Sequence, residues 1–252
     1  MRGRHKLVLN LRRQELRCGA DGRNDWHVVN TSRTVEAAST AVLICDMWDR
    51  HWSRGASERV DAMAPQMNEV VKAARELGVF VIHAPSDTMD FYGGTPARQR
   101  MVSAPCVDPP PEMEVADPAL PVDDSDEGSD TGEEQVSCPW SRQHPAIEID
   151  QERDGIADSG REVYSAMRQR SIEDLIIMGV HTNMCVLNRS FGIKQMVRWG
   201  VNVALAGDLT DTMYNPAMPP YVSHAEGTRL VVEYVEKFWC PTIGSDDLVC
   251  AC

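Results

Sequence analysis

Leu175-Ile176-Ile177-Met178-Gly179-Val180-His181-Thr182-Asn183-Met184-Cys185-Val186 decides how the rest of the chain is read. An apolar run that stops at a glycine reads as a buried strand. After a short polar turn, Phe191, Ile193, Met196 and Val197, ending at Gly200, set out a helical pattern. Cys185 is thereby placed on the first turn of that helix, just past a strand end. Unpaired N–H groups and the positive end of the helix dipole favour an anion there, so a thiolate of lowered pKa is expected. A buried structural cysteine is the competing reading, because free cysteine is among the most buried residue types.

Outward from this stretch, strands and helices alternate. Residues 41–45 form a continuous apolar run of the kind buried on both faces of a parallel sheet, followed by Asp46-Met47-Trp48-Asp49-Arg50-His51-Trp52. Val60, Met63, Met67, Val70, Val71, Ala74 and Leu77 mark a helix closed by Gly78, with Pro65 either kinking it or starting its main body. Residues 79–84 read as a second strand, 146–149 as a short third, 174–180 as the fourth and 201–206 as the fifth. Helices are expected over 160–170, 185–199 and about 222–239. The alternation predicts an α/β fold built on an open, mostly parallel sheet, for which 3-2-1-4-5 is the common strand order. Ligands bind such sheets outside the carboxyl ends of the strands, where the strand order reverses. Asp46 and Cys185, about 140 positions apart, would meet at that point. A carboxylate beside a thiol supplies a base for a nucleophile.

The rest of the chain bounds the possibilities. Its 252 residues suffice for one sizeable domain. This domain is assigned to 40–240, with residues 1–39 as an N-terminal arm lacking periodicity and 241–252 as a C-terminal tail. The basic start, MRGRHKLVLNLRR, reads as a frayed tail, with a mitochondrial presequence as the alternative. No run of about 18 apolar residues predicts a membrane span. The net charge of −13 is concentrated in residues 107–136, which hold eleven acidic residues and no Lys or Arg. This insertion, about 107–137, reads as a long, partly disordered loop, or alternatively as a docking surface for a basic partner. The eight cysteines show no CxxC pair, and a reducing, cytoplasmic setting is expected. Cys250 and Cys252 read as a tail rather than a redox or metal pair. No glycine-rich phosphate loop follows a strand, so nucleotide chemistry is not expected, nor is nucleic-acid binding.

The blocks 41–47, 179–186 and 200–203, together with His224, resemble the isochorismatase-like cysteine hydrolases, a family that includes nicotinamidase and N-carbamoylsarcosine amidohydrolase. The resemblance spans roughly residues 39–240, and its most specific part is the Gly-Val-x-Thr-x-x-Cys-Val block. It implies that Cys185 attacks an amide-type carbon, that Asp46 shuttles the proton, and that the backbone N–H groups of His181 and Cys185 form an oxyanion hole. It also implies a three-layer α/β/α fold around an open, mostly parallel sheet of order 3-2-1-4-5-6, a cis peptide bond between Val180 and His181, a small-molecule substrate, no cofactor and a homo-oligomer. The family's catalytic lysine has no counterpart in residues 146–158. Arg153 is the nearest cation there, His181 or His51 could supply the charge instead, or the standard chemistry has been lost. In that last case the chain would be a small-molecule-binding or interaction protein. Some relatives hold a metal, but His83, Asp87 and Asp90 lack the required spacing, so none is expected. Trp48, Trp52, Phe91, Tyr92 and Tyr214 are expected to line an aromatic pocket suited to a flat substrate.

Overall fold

A computed structural model describes residues 5–135 and 137–249. Cys250 and Cys252 lie outside the described residues. The chain opens with two long strands, β1 (Lys6–Cys18) and β2 (Asn24–Glu36). The central elements follow as β3 (Thr40–Cys45), α1 (Arg54–Leu77), β4 (Phe80–Ala84), α2 (Met89–Tyr92) and α3 (Pro96–Val102). After the insertion come β5 (Gly155–Ile156), α4 (Gly160–Gln169), β6 (Asp174–Val180), α5 (Ile193–Arg198), β7 (Asn202–Asp211), α6 (His224–Phe238) and β8 (Thr242–Ile243). One eight-stranded sheet runs β2-β1-β8-β7-β6-β3-β4-β5. From β5 to β8 its neighbours pair in parallel and follow the expected order, with the antiparallel hairpin added beyond β8.

Period-two alternation explains why the central strands are apolar throughout. In β3, Ala41, Leu43 and Cys45 face the core on the α4–α6 side, while Val42 and Ile44 face α1. Leu175 and Ile177 of β6 point to the first side, and Ile176, Met178 and Val180 to the second. Each Val, Leu, Ile or Met among them contributes about 1.5–3 kcal/mol on full burial, and neither face can take a charge. The one-residue register of β3 against β6, Cys45 opposite Gly179, puts both strand ends at one edge. Gly179 has φ +111°, and a Cβ there would come within 2.1 Å of the Cys45 carbonyl oxygen. Only glycine permits that approach.

Four expectations are corrected. Residues 6–36, expected to be an arm without periodicity, form a hairpin joined to the sheet, with Leu7 and Leu9 in the core and Arg12 and Gln14 bonded to Glu236 of α6. The third strand is Gly155–Ile156, not 146–149, whose backbone turns to side chains instead: Glu148 N–H donates to Asn68, and the Ile147 carbonyl accepts from Gln143. The helix expected over 185–199 is broken, with a π-helical turn at Thr182–Val186 and α5 beginning only at Ile193. The insertion, finally, is packed on the body of the protein. Asp117 pairs with Lys194, Asp130 with Arg59 and Glu133 with Arg54, so much of its acidity is spent within the chain. Pro65 lies within α1 without ending it. No helix among the described residues is long and apolar enough to cross a membrane.

Candidate active site

Asp46 is the first residue past β3, fully buried, with φ +46°. Its Oδ1 accepts from the Ser86 N–H (2.8 Å) just past β4, and its Oδ2 accepts from Arg189 Nε (3.0 Å). Arg189 also reaches Asp87 through Nη2 at 3.1 Å. The Cys185 thiol lies beside both partners of this ion pair, close enough that each shifts its proton affinity. Burial, followed by the Asp46 charge, pushes the thiol pKa well up, against an opposing pull from Arg189. The expected lowered pKa is therefore overturned: loss of hydration and a neighbouring carboxylate outweigh the helix end. Burial also raises Asp46, against Arg189 and the hydrogen bonds from Cys185 and Ser86, which makes it a stronger base than an exposed carboxylate.

Arg153 is not part of this cluster. The turn that carries it points Asp154 inward and Arg153 outward, where it pairs with Asp150 (2.6 Å) and Glu76 (2.9 Å) at the surface. The cation beside the thiol is Arg189, one helical turn beyond Cys185. An i, i+4 spacing puts two side chains on the same face, and that was the signal available in the sequence. Neither histidine supplies the charge. Burial and then Arg59 hold His51 down to about 4, and burial with His51 beside it holds His181 down to about 3. Both are neutral near pH 7.

A cavity of about 310 Å³ opens over the cluster, with Cys185 and Arg189 at its floor. Trp48, Trp52, His51 and His181 line it, as does Trp140, just past the insertion. Trp48 and Trp140 stack at 4.1 Å with their planes 9° apart, and His51 lies 5.6 Å from Trp140 at 18°. Asp49 fixes this arrangement by accepting from the Ser141 N–H and hydroxyl (2.9 and 2.6 Å). The backbone between Val180 and His181 is cis. The turn that carries Cys185 closes through Met184 and Val186 N–H groups donating to the His181 carbonyl.

Three expected pocket residues lie elsewhere. Phe91 is 56% exposed and rests edge-on against Tyr92. Tyr92 is buried, and its hydroxyl accepts from the Gln143 N–H. Tyr214 is fully buried against Gly227, its hydroxyl donating to the Met218 carbonyl. Residue type alone does not separate a wall of a pocket from a filler of the core. Trp140, which does line the cavity, stands between the insertion and residue 146, where the sequence has no periodicity to place it. His83 is held by Gln143 and Asp154 through its two ring nitrogens, which leaves no lone pair for a metal. Asp211 joins His224 (2.9 Å) to Arg59 (2.8 Å), tying the end of β7 to α6 and α1.

The two depressed histidines make stability depend on pH. Below about 6.5 the unfolded chain takes up protons that folded His51 and His181 refuse, so stability falls as pH falls. Between pH 7 and 5 the loss from these two groups is expected to be about 2–4 kcal/mol. Urea unfolding across this range should give a clearly flatter curve for His51→Gln than for wild type, and identical slopes would refute the assignment.

No family profile and no curated protein matches the sequence. Solved structures do resemble the fold. A cysteine hydrolase from Pseudomonas syringae pv. phaseolicola is 17% identical, with a TM-score of 0.52 over 85% of this chain and 92% of its own. An isochorismatase from Pseudomonas putida is 12% identical, also with a TM-score of 0.52, over 84% of this chain and 91% of its own. Strand order, the placement of the Asp46 and Cys185 strand ends, and these likenesses together give the chain the fold of the isochorismatase-like cysteine hydrolases.

Proposed function

We propose that the chain is a cysteine-dependent hydrolase of a small, flat amide, with Cys185 as nucleophile, Asp46 as general base and Arg189 as the fixed cation. The single observation that carries this reading is the Asp46–Arg189 ion pair beside the Cys185 thiol at the floor of an aromatic-walled cavity. Because the thiol is held neutral, its proton has to leave as the new bond forms, and Asp46 is the base at hand. The S–C bond forms, the carbonyl π pair moves to oxygen, and the N–H groups of His181 and Cys185 receive the resulting oxyanion. Collapse breaks the C–N bond, and the amine departs with the proton that Asp46 took. Water then attacks the thioester, losing its proton to Asp46; the S–C bond breaks, Asp46 returns that proton to the Cys185 sulfur, and the acid is released. Arginine stays charged throughout, unlike the lysine it stands in for. The proton therefore travels through Asp46 in both directions, while Arg189 keeps that carboxylate ionised and in place.

The indole and imidazole rings that line the cavity support a planar acyl half, since an aromatic ring offers a flat face for stacking. Hydrolysis of aromatic carboxamides, followed by acid release and by intact-mass detection of an acyl adduct on Cys185, tests the reading. Adduct formation with turnover is expected, and the absence of both across a panel of aromatic amides would overturn it. In the same assay Trp140→Ala is expected to raise KM about tenfold with kcat little changed, as befits the loss of a stacking surface.

A further inference from the structure

Cys185 borders two recesses. Besides the aromatic cavity, a cleft of about 450 Å³ opens against Leu120, Asp124, Asn183 and Asn188, and Met184, Cys185 and Arg189 line both spaces. The cleft differs in character from the cavity. It has no aromatic wall, and its polar groups are chiefly acceptors. Asp124 spends one oxygen on Asn183 Nδ2 (2.7 Å), and Asn188 turns its amide nitrogen to the carbonyls of Asn183 and Met184 (3.1 and 2.9 Å). The second carboxylate oxygen of Asp124 and the amide oxygen of Asn188 bond to no donor among the described residues. The positive charge of Arg189 is already taken by Asp46 and Asp87, which leaves Asp124 as the charge of the cleft with no ion-pair partner among the described residues.

An amide cleaved at Cys185 has two halves, and they project from the reacting carbon in different directions. A primary amide fills only one recess. We infer that the cleft receives the amine half, and that the substrate is an N-substituted amide whose leaving amine carries a second hydrogen-bond donor or a positive charge. This inference rests on the proposed hydrolase reading and narrows its substrate class. The bonds are those already given: the S–C bond forms, the C–N bond breaks, and the amine leaves with the proton first taken by Asp46. Water then completes the conversion to acid and free amine. Leu120 and Asp124 both come from the insertion, so the segment that seemed a mere acidic loop would build one side of the substrate site.

Calorimetric titration of the Cys185→Ser protein with benzamide, N-ethylbenzamide and N-(2-aminoethyl)benzamide separates the contributions of reach and charge. The aminoethyl compound is expected to bind at least about tenfold more tightly than the ethyl compound, through a charge-assisted bond to Asp124. Asp124→Asn, which keeps an oxygen for Asn183, should remove most of that gain. Equal binding of the two N-substituted amides, or a gain that survives Asp124→Asn, would overturn the cleft assignment. The hydrolase reading is checked separately by benzoyl-thioester formation on wild-type Cys185. Adducts that form equally from all three amides overturn the cleft alone, whereas no adduct from any aromatic amide overturns the reading beneath it.

Discussion

Cys185→Ala and Asp46→Asn are each expected to lower kcat/KM for amide hydrolysis by about 10⁴-fold or more, and the double variant to be no slower than the worse of the two. The reason is that thiol and carboxylate act as one proton-transfer unit. Without the sulfur there is no nucleophile for Asp46 to serve. With asparagine at 46, the neutral thiol loses the carboxylate beside it, and Arg189, which stays protonated, cannot take its proton. Asparagine can still accept from the Ser86 N–H, and Arg189 keeps its bond to Asp87, so the local fold has reason to persist. Steady-state kinetics on the three variants, with thermal unfolding as the control for folding, make the check. An Asp46→Asn enzyme within tenfold of wild type would remove Asp46 from the proton path.

The largest expected loss of stability lies away from the cavity. Asp154 is almost fully buried and accepts from Arg75 Nε and Nη2 (2.9 and 2.7 Å), from the Asp150 N–H (2.8 Å), and bonds His83 Nε2 (3.0 Å). Burial works to raise its pKa, but the hydrogen bonds from His83 and Arg75 prevail and hold the carboxyl below its usual range. Arg75 is itself 5% exposed, so Asp154 is the carboxylate that pairs its buried guanidinium. Asp154→Ala should cost about 3–5 kcal/mol by stranding that charge, while replacing both residues with apolar ones of similar volume should restore much of the loss. Urea unfolding of the single and paired variants measures both. A single-variant loss under about 1 kcal/mol would show that the pair carries little of the fold's stability. The sign with pH follows from the lowered pKa: this contribution is present above the unfolded carboxylate range and disappears as acid protonates the folded group.

How far the sequence could be read depended on whether a residue's neighbours lay within its own element. The runs 41–45 and 174–180 are apolar because both faces are buried, and such runs announce a central parallel strand wherever they occur. Adjacency of Asp46 and Cys185 followed from strand order alone. The hairpin was harder to read, because much of β2 is exposed on both faces and so lacks alternation. Arg153 was misplaced because nothing local tells which of Arg153 and Asp154 turns inward; Arg75 and His83, far away in the chain, decide it. Arg189 carried a local signal, its spacing from Cys185. Trp140 carried none, since its position comes from stacking on Trp48 and from Asp49 holding the next residue. The acidic insertion looked unstructured because its ordering partners, Arg59 and Lys194 among them, sit on α1 and α5.

The pH dependence of iodoacetamide alkylation at Cys185 tests the central claim most directly, because the reagent reports the thiolate. A thiol kept neutral by burial and by Asp46 should react faster with rising pH through 9 without levelling off, and Asp46→Asn, which removes the nearby negative charge, should react faster than wild type at the same pH. A wild-type plateau with an apparent pKa below the ~8.5 of a free thiol would contradict the account. Cys185 would then rest as a thiolate paired with Arg189, and Asp46 would not be needed to take its proton.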